Sequence, residues 1–194
     1  MKCWLALVCL TTLLMGCGYG DFQRQEAYVQ SKWNDVLQQY QRRADLIPRA
    51  VATVKGQPNF EHSALARLID ARSKAAFIPA TPELLNHPAA FTQFQQAQVE
   101  LSEAVDHLFT IAERYPHLQS NPAFQDIRNM LTDAGQRISA THHAYLLAAQ
   151  DYNALARSFP SNITGLFLGY KTKPKFNAQN EAATTSIAKT AFPH

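Results

Sequence analysis

The sequence predicts an all-α protein, an antiparallel up-down four-helix bundle with long helices. Three observations predict it. Apolar residues recur every three or four positions over long stretches, which is the period of a helix with one buried face. Proline and glycine fall at the ends of those stretches rather than inside strand-like alternations. Glycine is scarce, with 7 in 194 residues, and no run of β-branched residues reads as a strand.

The first stripe runs from 22 to 55, through Val29, Trp33, Val36, Tyr40, Ala44, Ile47, Val51 and Val54, and stops at Gly56 and Pro58. As a helix it would be about 50 Å long. A shorter helix fits 60–77, with Leu65, Leu68, Ile69 and Ala75-Ala76 inward. The stretch 78–90, "IPATPELLNHPAA", carries three prolines and reads as a loop or broken helix. A third helix covers 89–115 on the stripe Phe91, Phe94, Ala97, Leu101, Val105, Leu108 and Ala112, and Pro116 ends it. After the linker "PHLQS", Asn121-Pro122 pairs an N-cap residue with proline at N1 and starts the last helix, which runs to Phe159-Pro160. Short connections between narrow stripes favour antiparallel neighbours. The apolar segment 163–170, "ITGLFLGY", is expected to dock against one end, and residues 171–194 to form a flexible tail.

The chain length suits one domain. A hydrophobic share of 46% is enough for a core, and the charged share of 17% lies below the usual figure of about 25%. The net charge of +3 comes from scattered lysines and arginines, not from the basic stripe that a nucleic-acid partner selects.

All three cysteines, Cys3, Cys9 and Cys17, lie in the first 17 residues, so the rest of the chain has no internal disulfide or cysteine metal site. Met1-Lys2 precedes the apolar run Cys3 to Met15, 13 residues long. As a helix it covers about 20 Å, short of a roughly 30 Å hydrocarbon core, and reads as a signal peptide over 1–16. "LMGC" at 14–17 resembles the bacterial lipobox. That resemblance implies cleavage before Cys17, diacylglycerol on its sulfur and acylation of the new amine. Several acyl chains make a stable anchor. By analogy with lipoprotein sorting, Gly18 rather than Asp favours the periplasmic face of an outer membrane, where the host has one.

Catalytic signals are weak. No Gly-x-Ser-x-Gly elbow or phosphate-cradling glycine loop is present. There is no Glu-x-x-His, which di-iron bundles need on two helices. Glu103 and His107 share a face but lie off the apolar stripe. The adjacent His142 and His143 point different ways, one toward the seam near Tyr145 and one to water. The expected protein is not an enzyme and carries no cofactor beyond the lipid on Cys17. An envelope enzyme accessory or a metal-binding bundle is the alternative.

The block "RRADLIPR" at 42–49 is the candidate partner-binding region: Arg42, Arg43, Asp45 and Pro48. Arginines at the edge of an apolar stripe lay their stems on the core and keep their heads in water, with Asp45 or Glu113 as partners. Pro48 has no N–H for the Ala44 carbonyl and should loosen the turn at 44–48. The freed carbonyl beside paired arginines reads either as a docking point or, the more ordinary outcome, as a kink that only shapes the bundle.

"QYQRRADLIPRAVATVKG" (39–56), "AERYPHLQSNPAF" (112–124), "RISATHHAY" (137–145) and "YNALARSFPSN" (152–162) together resemble the LemA family of bacterial envelope proteins, with the bundle spanning 17–170. The resemblance implies an antiparallel four-helix bundle held at a membrane by its N-terminus and brings no agreed catalytic function; the expected role is structural, with a protein partner in the envelope. Many relatives carry an N-terminal transmembrane helix where this chain has a lipobox. Arg49 stands where relatives usually have Asn, and Gly135-Gln136 replaces a usual Glu-Asn.

Overall fold

The computed structural model describes residues 2–58, 60–159, 162, 163, 165 and 169–175, with side chains from Gly20 onward. The described residues form five helices, of which four are long: α1 (Lys2–Lys55), α2 (His62–Phe77), α3 (Pro88–Ala112), α4 (Pro116–Gln119) and α5 (Pro122–Leu155). No strand occurs among the described residues.

The boundaries follow proline chemistry. Ile78 leaves α2 with φ −88° and ψ 117° because the residue before a proline, here Pro79, is driven out of the helical region. A 3-10 turn (Pro82–Asn86) then opens on Pro82, and α3 opens on Pro88. The expected third helix to 115 is three residues too long. α3 stops at Ala112, and Tyr115, which precedes Pro116, has left the helical region (φ −118°, ψ 89°). The segment read as the linker "PHLQS" holds the single turn α4. Asn121 caps α5 as expected, its side chain accepting from the Ala123 N–H at 2.9 Å.

Two other expectations change. The helix expected to begin at 22 begins at Lys2, so the stretch read as leader is continuous with α1. The last helix ends at Leu155 rather than Phe159. Among the described residues no helix is long and apolar enough to cross a membrane.

Side-chain pairs give the helix directions. Tyr40 meets His142, Arg49 meets Met130 and Tyr152 meets Glu26, so α1 and α5 run antiparallel. Lys74 meets Glu100 and Arg67 meets Glu103, so α2 and α3 do the same. Trp33 touches Phe91 and Phe94, while Arg43 bonds Gln98; α1 and α3 therefore run in one direction.

Two apolar clusters fill the interior. One holds Ile47, Val54, Phe60, Leu68, Leu101, Leu108 and Leu131. The other gathers Phe22, Trp33, Tyr40, Leu84, Phe91, Phe94, Tyr145 and Tyr152 around the first part of α1. On α1 the second cluster ends at Tyr40 and the first begins at Ile47. Arg43 lies between them.

Residues read as tail also take a place. Lys173 N–H donates to Asn153 Oδ1 at 2.8 Å, Asn153 Nδ2 donates to the Lys173 carbonyl at 3.1 Å, and the Tyr145 hydroxyl donates to the Pro174 carbonyl at 2.9 Å. The segment expected to dock, 163–170, is described at Ile163, Gly165, Gly169 and Tyr170, with Tyr170 stacked on Phe22 at 4.7 Å. The remainder of the expected tail, 176–194, lies outside the described residues.

Candidate functional site

Arg43 is only 5% exposed. This corrects the expectation of a guanidinium held in water. Its stem follows the α1 stripe, but its head turns inward to α3. One terminal nitrogen donates to Ser102 Oγ at 2.6 Å; the other donates to the Gln98 carbonyl at 3.1 Å and to Gln98 Oε1 at 2.7 Å. Its guanidinium carbon lies 5.2 Å from the Tyr40 ring centroid, within cation–π range. These three acceptors are neutral, where the sequence suggested the carboxylates of Asp45 or Glu113.

Tyr40, one turn earlier on α1, carries the layer to α5. Its hydroxyl lies 2.7 Å from His142 Nε2, with the rings edge to face at 5.3 Å. His142 is buried and His143 exposed, which is the division expected of adjacent helical residues. A buried polar layer thus links α1, α3 and α5 between the two apolar clusters. Each buried donor and acceptor so engaged avoids the penalty of leaving water unpaired.

Gln98, Ser102 and Asp106 follow one another at i, i+4 and i+8 on α3, so they form one polar edge. Burial raises the Asp106 carboxyl from 3.8 to about 6, Glu103 adds to that shift, and Arg43 opposes it. Asp106 Oδ2 is buried with no hydrogen-bond donor among the described residues. The fold therefore favours the protonated acid. Its stabilising contribution is present below 3.8 and is lost as the pH rises through about 6. Asp106→Asn should stabilise the protein above that window by about 1 kcal/mol after allowing for solvent screening. The gain should shrink below the window, as thermal melts at several pH values would register.

The exposed part of the 42–49 block is smaller than the sequence implied. Arg42, Asp45, Pro48 and Arg49 face solvent. Asp45 accepts from Gln41 Nε2 at 2.9 Å on its own helix. The Ala44 carbonyl, which Pro48 cannot engage, accepts from Arg72 Nε of α2 at 3.2 Å. The proposed docking carbonyl is thus used to join α1 to α2.

A second polar cluster closes the end of the molecule near Phe22. Lys173 Nζ lies 2.5 Å from Glu26 Oε1, and the Tyr152 hydroxyl donates to Glu26 Oε2 at 3.1 Å. Burial, with Glu26 beside it, holds the Tyr152 phenol above its ordinary range, so it remains a donor. This cluster was not anticipated, because Glu26, Asn153 and Lys173 are far apart in sequence. The α3 edge could have been found, since polar residues at four-residue spacing beside the Phe94–Leu101–Leu108 stripe are visible in the chain.

Two shallow surface depressions accompany these clusters. One, of about 470 Å³, is lined by Asp21, Arg24, Gln25, Tyr28 and Leu155. The other, of about 300 Å³, lies between α2 and α3 beside Phe77 and Ile78. Among the described residues, no group of three or more His, Cys, Asp or Glu side chains is placed to share a metal ion.

These features define a class: an all-helical protein whose long helices enclose two apolar clusters separated by a polar layer. The arginine, tyrosine and histidine of that layer lie within the motifs that are similar to one family. The chain belongs to the LemA family, whose profile matches residues 32–192. It is similar to the magnetosome protein MamQ of Magnetospirillum gryphiswaldense, 25% identical over 94% of this chain and 72% of the relative. Magnetosome protein MamQ 2 of Paramagnetospirillum magneticum is 24% identical over the same shares.

Proposed function

We propose that this LemA-family chain is a membrane-anchored lipoprotein of the bacterial envelope that acts through structure and protein interaction rather than catalysis. The observation that carries the reading is Cys17, placed after Leu14-Met15-Gly16 and five residues before the buried Phe22. An acyl anchor at that sulfur holds the helical body against a bilayer. Gly18 favours the periplasmic face of an outer membrane where the host has one. The relatives are named as magnetosome proteins, with no catalytic activity in the name, which fits a structural role.

The antiparallel pairs α1–α5 and α2–α3, with α1 joined to α2 through Ala44 and Arg72, support reading the body as an up-down four-helix bundle. Its polar layer favours a scaffold because Arg43, Gln98, Tyr40 and His142 spend polar atoms on one another. Partner contact is assigned to the exposed shoulder of the layer, Arg42, Asp45 and Pro48, with no cofactor. No nucleic acid is assigned as a partner.

Metabolic labelling with an alkynyl fatty acid tests the anchor. Wild type should be labelled and processed at Cys17, whereas Cys17→Ala should lose the label and retain its leader. Unchanged mass and label in the variant would sink the reading. In the same cells, Arg42→Ala with Asp45→Ala should remove a discrete crosslinked species. An identical crosslinking pattern with normal stability overturns the assignment of that shoulder.

A further inference from the structure

The end of the molecule near Phe22 presents side chains that the internal contacts do not use. Phe159 is 79% exposed and Ile163 49%. Both follow α5, whose last residue Leu155 lines a depression with Asp21 and Tyr28 of α1. The chain stays at that end, because a Cβ built on Gly165 would lie 3.3 Å from the Phe22 ring. This is also the end from which α1 leads back to Cys17 and the apolar run before it.

The uncompensated charge there is mostly positive. Arg157 and Lys171 are exposed at this end, after which the chain turns back along the body to where the Tyr145 hydroxyl, beside Trp33, holds Pro174. Two nearby acids are already neutralised, Asp21 by Arg24 and Glu26 by Lys173. Asp151 is the exposed acid on the adjoining turn of α5. Exposed aromatic and aliphatic groups ringed by basic residues are what an interfacial surface requires. The apolar groups enter the headgroup boundary, and the cations meet lipid phosphates.

We propose that this end is a docking surface for an anionic phospholipid bilayer, with Phe159 and Ile163 entering the interface and Arg157 and Lys171 facing headgroup phosphates. The proposal deepens the anchored reading and rests on it: a lipid at Cys17 brings this face to the bilayer, and the face then sets the body's orientation. The strap at 170–175 belongs to the same device, since Lys173 and Pro174 hold the segment on α5 and α1 while Lys171 remains outside. Each basic residue near an anionic surface favours attachment about fivefold.

The test uses the full chain on phosphatidylcholine vesicles with and without phosphatidylglycerol, probed by hydroxyl-radical oxidation and peptide mass spectrometry. Phe77, 87% exposed at the end of α2, is the internal control. On anionic vesicles, Phe159 oxidation should fall several-fold while Phe77 oxidation stays unchanged. Arg157→Glu with Lys171→Glu should restore Phe159 oxidation without altering the far-ultraviolet circular dichroism. Equal oxidation of Phe159 on both vesicle types overturns the proposal, as does protection that survives the double substitution. Flotation of the same samples reports separately on the anchor. A chain that floats with Phe159 unprotected retains the anchor and loses the docking surface; one that does not float loses the anchored reading.

Discussion

Trp33→Ala should lower the unfolding free energy by about 3–5 kcal/mol, a large share of the roughly 5–15 kcal/mol that domains commonly possess. Trp33 is fully buried. Its ring lies 5.5 Å from Phe91, 6.0 Å from Phe94 and 5.4 Å from Tyr145, so one side chain joins α1 to α3 and α5. Its indole nitrogen also donates to the Thr81 carbonyl at 3.3 Å, tying down the connection between α2 and α3. Truncation removes the packing of three aromatic contacts and takes one donor from that carbonyl, which keeps the Leu84 N–H at 3.1 Å. Trp33→Phe should recover more than half of the loss, because it keeps most of the ring and gives up only the hydrogen bond and some volume. Urea denaturation followed by circular dichroism distinguishes the two. Equal midpoints for wild type and Trp33→Ala would show that the aromatic cluster does not hold these helices together.

Arg43→Ala should cost about 3 kcal/mol, since hydrogen bonds to a charged donor contribute roughly 1.5–3 kcal/mol and the buried stem leaves a void. The change strands Gln98 Oε1, whose 2.7 Å donor disappears. Ser102 loses less, because its hydroxyl already donates to the Gln98 carbonyl at 3.0 Å. Replacing both partners, Arg43→Leu with Gln98→Leu, should recover much of the stability, because no buried polar group is then left unpaired. A double-mutant cycle therefore separates the pair's coupling from simple loss of packing. Asp106 supplies an independent readout. Arg43 opposes the upward shift of its carboxyl, so removing Arg43 should move the Asp106 titration, followed by NMR, further above about 6. An unmoved titration would mean that the guanidinium and the carboxyl do not interact.

Arg43 also shows why the site was only partly legible in the chain. Periodicity places it at the edge of the α1 stripe, where an arginine ordinarily snorkels to water. Gln98 and Ser102 lie 55 and 59 residues away, and nothing local to 42–49 announces that α3 offers three acceptors there. Pro48 was legible as a helix position without an N–H. That the orphaned Ala44 carbonyl meets Arg72 depends on α2 folding back alongside α1. His142 and His143 were separable from sequence because adjacent helical residues diverge by about 100°. The hydroxyl that engages His142 belongs to Tyr40, 102 residues earlier, and required the antiparallel pairing of α1 with α5.

Local chemistry sets its own limits on the boundaries. Asn121-Pro122 starts α5 because cap and proline act within one turn. The end at 77 follows from the conformational bias of a residue that precedes a proline. By itself, then, the sequence determined the all-helical class, the apolar faces, most helix starts and stops, and the family. The tertiary structure decided the inward turn of Arg43, the raised carboxyl of Asp106, the capture of Lys173 by Glu26 and Asn153, and the end surface carrying Phe159. The reason is range. Helix period and capping are settled among residues within about four positions of one another, whereas polar pairing and burial depend on which distant helices meet.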